Sequence, residues 1–321
     1  MLGDQVSDDA NHCCLPSRVT SSTPQPLVVS TFSDHQVEQC VIPAGTFLMG
    51  DSSGVGNPGD GETPVHEVTL ESFSIDAVAV TTQQFARFVD ATGYRTDAER
   101  FGYSAVFYLA IAADPVDVMP PADGAPWWRG VLGADWQHPG GRLSSVHGFA
   151  DHPVTHVSWL DAAAYCEWAK RRLPTEAQWE YASRGGLTGA TYPWGDRVRD
   201  SDKDAWRCNI WQGEFPHRNS AEDGWLTTAP VRTYFPNGYG LWQTVGNVWE
   251  WCGDWFSPDY YRESPTHEPQ GPPQGEARVL RGGSYLCHDS YCNRYRNSAR
   301  TSNTPSSSMG NAGFRTVGAP L

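Results

Sequence analysis

Gly282-Gly283-Ser284-Tyr285-Leu286-Cys287-His288-Asp289-Ser290-Tyr291-Cys292-Asn293-Arg294-Tyr295-Arg296 is the stretch on which the reading of this chain turns. It carries two cysteines five positions apart. On an α-helix that spacing rotates the side chains by about 140°, so they face apart. On a flat strand an odd spacing puts them on opposite faces. The thiols meet only if the segment is irregular and bends. If they meet, two outcomes are open: a disulfide or a pair of buried thiols on one side, a metal site on the other. Two thiolates suit a soft monovalent ion, above all Cu(I). Zinc normally takes four ligands, and only His288 is added locally, beside Cys287 in the chain. Arg294 and Arg296 are expected to lower the thiol pKa values.

The remaining composition predicts the same kind of irregular fold. The 321 residues include 32 Gly and 24 Pro, with 14 Trp to pin loops by packing. Lys+Arg number 23 against 37 Asp+Glu, a net charge of -14, which argues against a nucleic-acid partner. No apolar run approaches the ~18 residues of a membrane span. The first residues contain no apolar core of a secretory signal, so a cytoplasmic location is expected. Residues 1 to about 35 are rich in Ser, Thr, Asp and Pro and are expected to form a disordered tail, with one domain over 36–321. Eight cysteines are too sparse for a disulfide scaffold. Cys13 and Cys14 lie in the polar tail and are assigned no role. Cys40, Cys166, Cys208 and Cys252 sit among apolar residues and are expected to be inert core thiols.

Three helices announce themselves. Thr81 with Gln84 forms a capping box before the stripe Phe85, Phe88, Val89, and Gly93 stops the helix. Ser158 caps a second, with Ala162, Tyr165, Cys166 and Ala169 on one face. Thr175 with Gln178 caps a third, closed by Gly185. Alternation predicts strands at Val68-Leu70, Phe73-Ile75 and Arg278-Leu280. The class is α+β, a single loop-rich domain with little regular structure. His147, His152 and His156 have a spacing that admits zinc, but Pro153 breaks any helix that would align the rings.

The chain resembles formylglycine-generating enzymes, the sulfatase-modifying factor family, over residues 39 to 317. The resemblance is carried by Arg281-Gly282-Gly283-Ser284-Tyr285, Cys287-His288, Ser290-Tyr291-Cys292, Arg294-Tyr295-Arg296, Ala299-Arg300, Asn303-Thr304-Pro305 and Gly313-Phe314-Arg315. His152-Pro153-Val154, Arg172-Leu173-Pro174-Thr175-Glu176, Pro193-Trp194-Gly195 and Gly246-Asn247-Val248-Trp249-Glu250-Trp251 are similar to the wider C-type-lectin-like superfamily and imply fold alone. The paired cysteines are specific to the formylglycine-generating branch, and Pro126-Trp127-Trp128 and Asn209-Ile210-Trp211-Gln212-Gly213 support it.

That resemblance implies a copper-dependent oxidase. Its substrate would be a cysteine within Cys-x-Pro-x-Arg of an unfolded sulfatase polypeptide, converted with molecular oxygen to Cα-formylglycine. It implies Cys287 and Cys292 as Cu(I) ligands, with a mixed disulfide between Cys287 and substrate as an alternative. Ser284 is implied at the oxygen pocket and Trp249 as its wall. It implies two structural calcium ions: the first on Asn209, Asp223 and the carbonyls of Ile210 and Trp225, the second on Gln243, Glu250 and the carbonyls of Gly246 and Val248. Ser284, Tyr291, Asn303, Thr304 and Pro305 are implied to line the peptide groove.

Several positions depart from the family. Ser183, Asn297 and Thr316 stand where secretory relatives place disulfide cysteines, which implies a prokaryotic-type protein in a reducing cytosol. Tyr103 replaces an acid expected to meet the substrate arginine, so arginine preference is expected to be weaker. Ser306 replaces an Asp. Two competing readings are a ligand-binding module of the same superfamily, which needs no cysteine pair, and a sulfoxide synthase of the ergothioneine type. The latter would need a three-histidine iron site and a helical domain for which the chain has no room.

Overall fold

The capping boxes read from the sequence open helices in the structure, a computed structural model that describes residues 15–18, 35–122, 124–200 and 203–318. Thr81 and Gln84 satisfy one another's backbone N–H groups and start α1 (Thr82–Thr92), which Gly93 closes at φ 66°. The same device opens α2 (Asp97–Phe101) through Thr96 and Glu99, a helix that the sequence reading missed. Ser158 and Asp161 open α3 (Trp159–Ala169). Thr175 and Gln178 open α4 (Glu176–Arg184), closed by Gly185.

Four N-terminal strands, β1 (Gln39–Ile42), β2 (Gly45–Met49), β3 (His66–Leu70) and β4 (Phe73–Asp76), form two antiparallel pairs, β1 with β4 and β2 with β3. The expected strands at 68–70 and 73–75 lie within β3 and β4. Residues 103–132, for which the sequence predicts no strand, form a sheet of β5 (Tyr103–Phe107), β6 (Val118–Ala122) and β7 (Ala125–Leu132), in the order β5-β7-β6. Its edge strand β6 carries Pro120 and Pro121, tolerated because an edge leaves N–H positions unpaired.

After the short hairpin β8 (Gly213–Glu214) and β9 (Arg218–Asn219) comes the sheet that carries the site. It comprises β10 (Trp249–Trp255), β11 (Arg278–Arg281), β12 (Arg300–Asn303) and β13 (Ala312–Gly313), ordered β12-β11-β10-β13. The expected strand at 278–280 is β11. Aromatic rings fill the core beneath it: Phe85, Phe88, Tyr165, Trp168 and Phe314 meet one another at centroid distances of 5.3–6.5 Å. No described helix is long and apolar enough to cross a membrane.

Most of the expected tail lies outside the described residues, Cys13 and Cys14 included. Residues 15–18 do not behave as a disordered tail. Leu15 and Arg18 are 2% and 7% exposed, and Pro16 and Arg18 are held by hydrogen bonds to residues almost 290 positions away.

Candidate active site

Buried ion pairs build the frame of the site. Arg281, at the end of β11, donates to Glu176 at 2.7 Å and also pairs with Glu180, both on α4. Arg300, opening β12, grips both oxygens of Glu176 at 2.7 and 2.8 Å. Arg294 pairs with Asp60 and Arg296 with Glu62. All are buried, so each carboxylate is compensated where water cannot reach it. Glu176 and Glu180 stay below the ordinary carboxylate range because Arg300 and Arg281 at Glu176, and Arg184 and Arg281 at Glu180, outweigh the cost of burial.

Gly282 and Gly283 then turn the chain off the strand with φ of 91° and 73°. A Cβ at Gly282 would come within 2.4 Å of the Thr244 carbonyl oxygen, and one at Gly283 within 2.5 Å of that of Arg294. The bend that the cysteine spacing demanded follows. The His288 carbonyl accepts from the N–H groups of Tyr291, Cys292 and Asn293 at 3.2, 3.0 and 3.0 Å. This turn folds Cys292 back onto Cys287, close enough for a contact between their sulfurs. Trp211 N–H anchors the Cys287 carbonyl at 3.0 Å, and Asn57 Nδ2 anchors that of Cys292 at 3.1 Å. Both cysteines are free thiols, 1% and 2% exposed.

Burial, with the adjoining Cys292 sulfur, pushes the Cys287 thiol well above its ordinary value. The expected lowering by Arg294 and Arg296 is therefore corrected. Arg294 acts in that direction but weakly, because Asp60 already holds its charge, as Glu62 holds that of Arg296. The Ser284 N–H does point at Cys287 Sγ, at 3.4 Å.

Ser284 Oγ accepts from Asn311 Nδ2 at 3.1 Å, a partner that sequence reading did not identify. Trp249 opens β10 opposite Ala312, fully buried, and its Nε1 has no hydrogen-bond partner among the described residues. Cys287, Cys292 and Trp249 belong to one apolar cluster. The arrangement is two reduced, buried sulfurs within an apolar cluster that also holds Trp249, whose indole N–H is unused among the described residues, with the Ser284 N–H on Cys287 Sγ. Such a donor set fits a soft two-coordinate ion that leaves room for a further ligand. Among the described residues no three His, Cys, Asp or Glu side chains converge as a zinc site would require.

The calcium sets differ in fit. Asn209 Oδ1 is buried without a partner, while its Nδ2 donates to the Thr227 carbonyl and Asn247 Oδ1. Burial raises the Asp223 carboxyl above its usual range even though its oxygens accept from the N–H groups of Ile210 at 3.1 Å and Trp225 at 2.9 Å. Both features fit a cation that also takes the carbonyls of Ile210 and Trp225. At the second set Gln243 Oε1 is likewise orphaned. Glu250, however, is already gripped by Arg315 on both oxygens and by Trp179 Nε1 on one, so an ion there would share its carboxylate. Calcium at about 100 times Kd stabilises by ~2.7 kcal/mol per site. Chelation is therefore expected to lower Tm by about 5 °C or more. Asn209→Ala combined with Asp223→Ala should do the same, and equal Tm with and without calcium would refute both sites.

The other sequence candidates are placed as follows. Tyr291 stacks on Phe215 at 4.2 Å and meets Trp127 edge-on at 5.1 Å. Asn303 ends β12, and its Nδ2 donates to the Pro16 carbonyl at 3.1 Å; Thr304 Oγ1 donates to that of Arg18 at 2.9 Å. The Pro305 carbonyl accepts from Leu160 N–H at 3.3 Å, and Ser306 is buried. The three histidines do not converge. His152 pairs with Thr228, buried His156 pairs with Ser104, and His147 is exposed. Cys166, Cys208 and Cys252 are buried free thiols raised by desolvation; Cys40 is only half-buried. Ser183 Oγ donates to Asn297 Oδ1 at 2.9 Å, a hydrogen bond where relatives were expected to be bridged.

Residues 25–320 match the Sulfatase-modifying factor enzyme 1-like domain. The chain is 61% identical over 300 residues to the formylglycine-generating enzyme of Streptomyces coelicolor, covering 94% of each protein. It is 42% identical over 280 residues to the inactive C-alpha-formylglycine-generating enzyme 2 of Mus musculus, covering 85% of this chain and 83% of that one. Among solved structures, PvdO from Pseudomonas aeruginosa is similar in fold, with a TM-score of 0.65 at 22% identity over 92% of this chain and 99% of that one. The domain match runs through both strand pairs, the site sheet and the cysteine turn, and by that match and the 61% identity the chain belongs to the formylglycine-generating, sulfatase-modifying family.

Proposed function

We propose that this chain converts the cysteine of a Cys-x-Pro-x-Arg motif, in an unfolded sulfatase polypeptide, to Cα-formylglycine with dioxygen as oxidant. The observation that carries this reading is the pair of free, buried thiols brought together by the His288 turn. A relative of the same fold is named inactive, so family membership alone does not establish turnover. The pair is what the chemistry requires.

Cys287 and Cys292 would hold Cu(I), which when bound supplies a site where a substrate thiolate and dioxygen can meet. The protein's own groups do the rest. The apolar cluster around the sulfurs excludes water from the oxidation. Ser284, whose Oγ is fixed by Asn311, and Trp249, whose Nε1 is buried without a partner among the described residues, would supply donors to the oxygen. The Asn303-Thr304-Pro305 loop offers side-chain donors to peptide carbonyls. Dioxygen accepts one hydrogen from the substrate Cβ and one from its sulfur. Water adds to the resulting thioaldehyde, and sulfur leaves as hydrogen sulfide. Calcium is proposed as structural, and a reducing cytoplasm as the compartment that keeps the thiols free.

Thiol alkylation tests the metal assignment. One equivalent of Cu(I) should protect Cys287 and Cys292 together, and unchanged alkylation rates would argue for a binding module instead. Tyr103 bears on peptide choice, because it offers an arginine a ring and a carbonyl rather than a carboxylate. Replacing the peptide arginine by alanine is expected to cost about 1–2 kcal/mol in kcat/KM, the size of a cation–π contact with a hydrogen bond. A loss above ~3 kcal/mol would reveal a buried carboxylate partner.

A further inference from the structure

Residues 14–18 read Cys14-Leu15-Pro16-Ser17-Arg18, which satisfies Cys-x-Pro-x-Arg at every fixed position. Four of these five residues are described, and they lie on the loop that the functional reading assigns to substrate. Asn303 Nδ2 donates to the Pro16 carbonyl at 3.1 Å and Thr304 Oγ1 to the Arg18 carbonyl at 2.9 Å. The Arg18 N–H donates to Ser307 Oγ at 2.7 Å. Backbone bonds of this kind hold any peptide whatever its side chains, which is how an extended substrate is gripped.

The side chains add the register. Leu15 is 2% exposed and belongs to the same apolar cluster as Cys287, Cys292 and Trp249. The Arg18 guanidinium lies 4.0 Å from the Phe101 ring centroid and 4.6 Å from that of Tyr103. It also donates to the Tyr103 carbonyl at 2.9 Å, to Ser308 Oγ at 3.3 Å and to the Asp97 carbonyl at 3.5 Å. Ser17, at a variable position of the motif, is exposed. A cleft of about 180 Å³ runs on beside the segment, lined in part by Met119, Trp128 and Gly130. A strap with a purely structural role would need the burial. It would not need proline and arginine in the spacing of the substrate, with a cysteine four residues before the arginine.

We infer that residues 14–18 are an internal copy of the substrate motif whose residues 15–18 occupy the peptide groove, and that Cys14, next in sequence, is a modification site converted to Cα-formylglycine in cis. The inference rests on the functional reading above. The step balances as it does for an external peptide. One hydrogen leaves Cβ and one leaves Sγ of Cys14, and dioxygen takes both to become hydrogen peroxide. Water then supplies the aldehyde oxygen, and hydrogen sulfide departs. A tethered segment has an effective concentration on the order of millimolar, so an external peptide must displace it. Its apparent affinity falls in proportion to the fraction of vacant grooves.

The test uses the full chain, reduced, supplied with one equivalent of Cu(I) and air. An aminooxy probe followed by peptide mapping locates any aldehyde, and a dilution series separates reaction in cis from reaction in trans. The expected result is an aldehyde at residue 14 and not at residue 13, at a rate independent of protein concentration, and absent from Cys14→Ser. Arg18→Ala should slow that labelling and lower the KM of an added Cys-x-Pro-x-Arg peptide by about 10-fold or more, as the groove empties. Arg18→Lys, which keeps the charge and stem, should lie between. Two results would overturn the inference while leaving the enzymatic reading intact, provided the added peptide is turned over: residue 14 unmodified, or a KM unmoved by Arg18→Ala. No turnover of the added peptide would instead sink the functional reading beneath it.

Discussion

Cys287→Ser and Cys292→Ser are each expected to reduce turnover by at least ~10³-fold and to abolish Cu(I) binding. The argument is one of ligand softness. A hydroxyl is a poor ligand for a soft monovalent ion, and one remaining thiolate leaves the ion without its second sulfur. The fold should survive. At position 287 the Ser284 N–H is placed to serve the new oxygen, so the polar atom is not left unpaired. A stability change within about 2 kcal/mol is expected, the usual scale for a buried hydroxyl. Circular dichroism with urea unfolding checks the fold, and Cu(I) titration against a competing chelator checks the site. Full activity in either variant would remove the pair from the mechanism.

Arg281→Met is expected to have the largest effect on stability, about 3–5 kcal/mol. Arg281 is fully buried and serves Glu176 and Glu180 at once. Methionine fills much of the volume but leaves two buried carboxylates with one cation fewer. Arg300 and Arg184 retain part of the compensation, which keeps the loss finite. The contrast is Arg199, whose ion pairs with Asp204 and Glu222 are solvent-exposed. Its replacement by Met should cost well under ~1 kcal/mol. Urea midpoints for the two variants decide the point, and equal losses would show that burial is not what makes the Arg281 network matter. The active-site turn hangs from this network through Gly282, so Arg281→Met should also depress turnover beyond its effect on the folded fraction.

The sequence disclosed the elements whose signals are local. The boxes at Thr81, Ser158 and Thr175 place polar side chains where helix N-termini need them, and each opens a helix. The same rule at Thr96 and Glu99 was overlooked because the helix it opens is five residues long, too short for an apolar stripe. The sheet of β5, β6 and β7 was illegible for a different reason. Its edge strand carries two prolines and little alternation, so its pairing is set by its neighbour rather than by its own pattern. At the site, spacing alone said that Cys287 and Cys292 require a bend. It did not say that the His288 carbonyl would supply it, because that turn depends on anchors at Trp211 and Asn57 far away in the chain. Asp60 and Glu62, two residues apart, match Arg294 and Arg296 at the same spacing, a signal that was present and not used. Composition misjudged residues 15–18 of the expected tail. Residues 15–18 are too few to form a core of their own, and their order comes from hydrogen bonds to Asn303, Thr304 and Ser307 far along the chain.

The most direct test of the central claim is the mass of a peptide containing Cys-x-Pro-x-Arg after incubation with the reduced protein, one equivalent of Cu(I) and dioxygen. The account predicts exchange of the cysteine sulfur for an aldehyde oxygen. That product should vanish in Cys287→Ser, in Cys292→Ser and in protein stripped of copper by a thiol-competitive chelator. Equal product from the stripped protein, or from either serine variant, would contradict it.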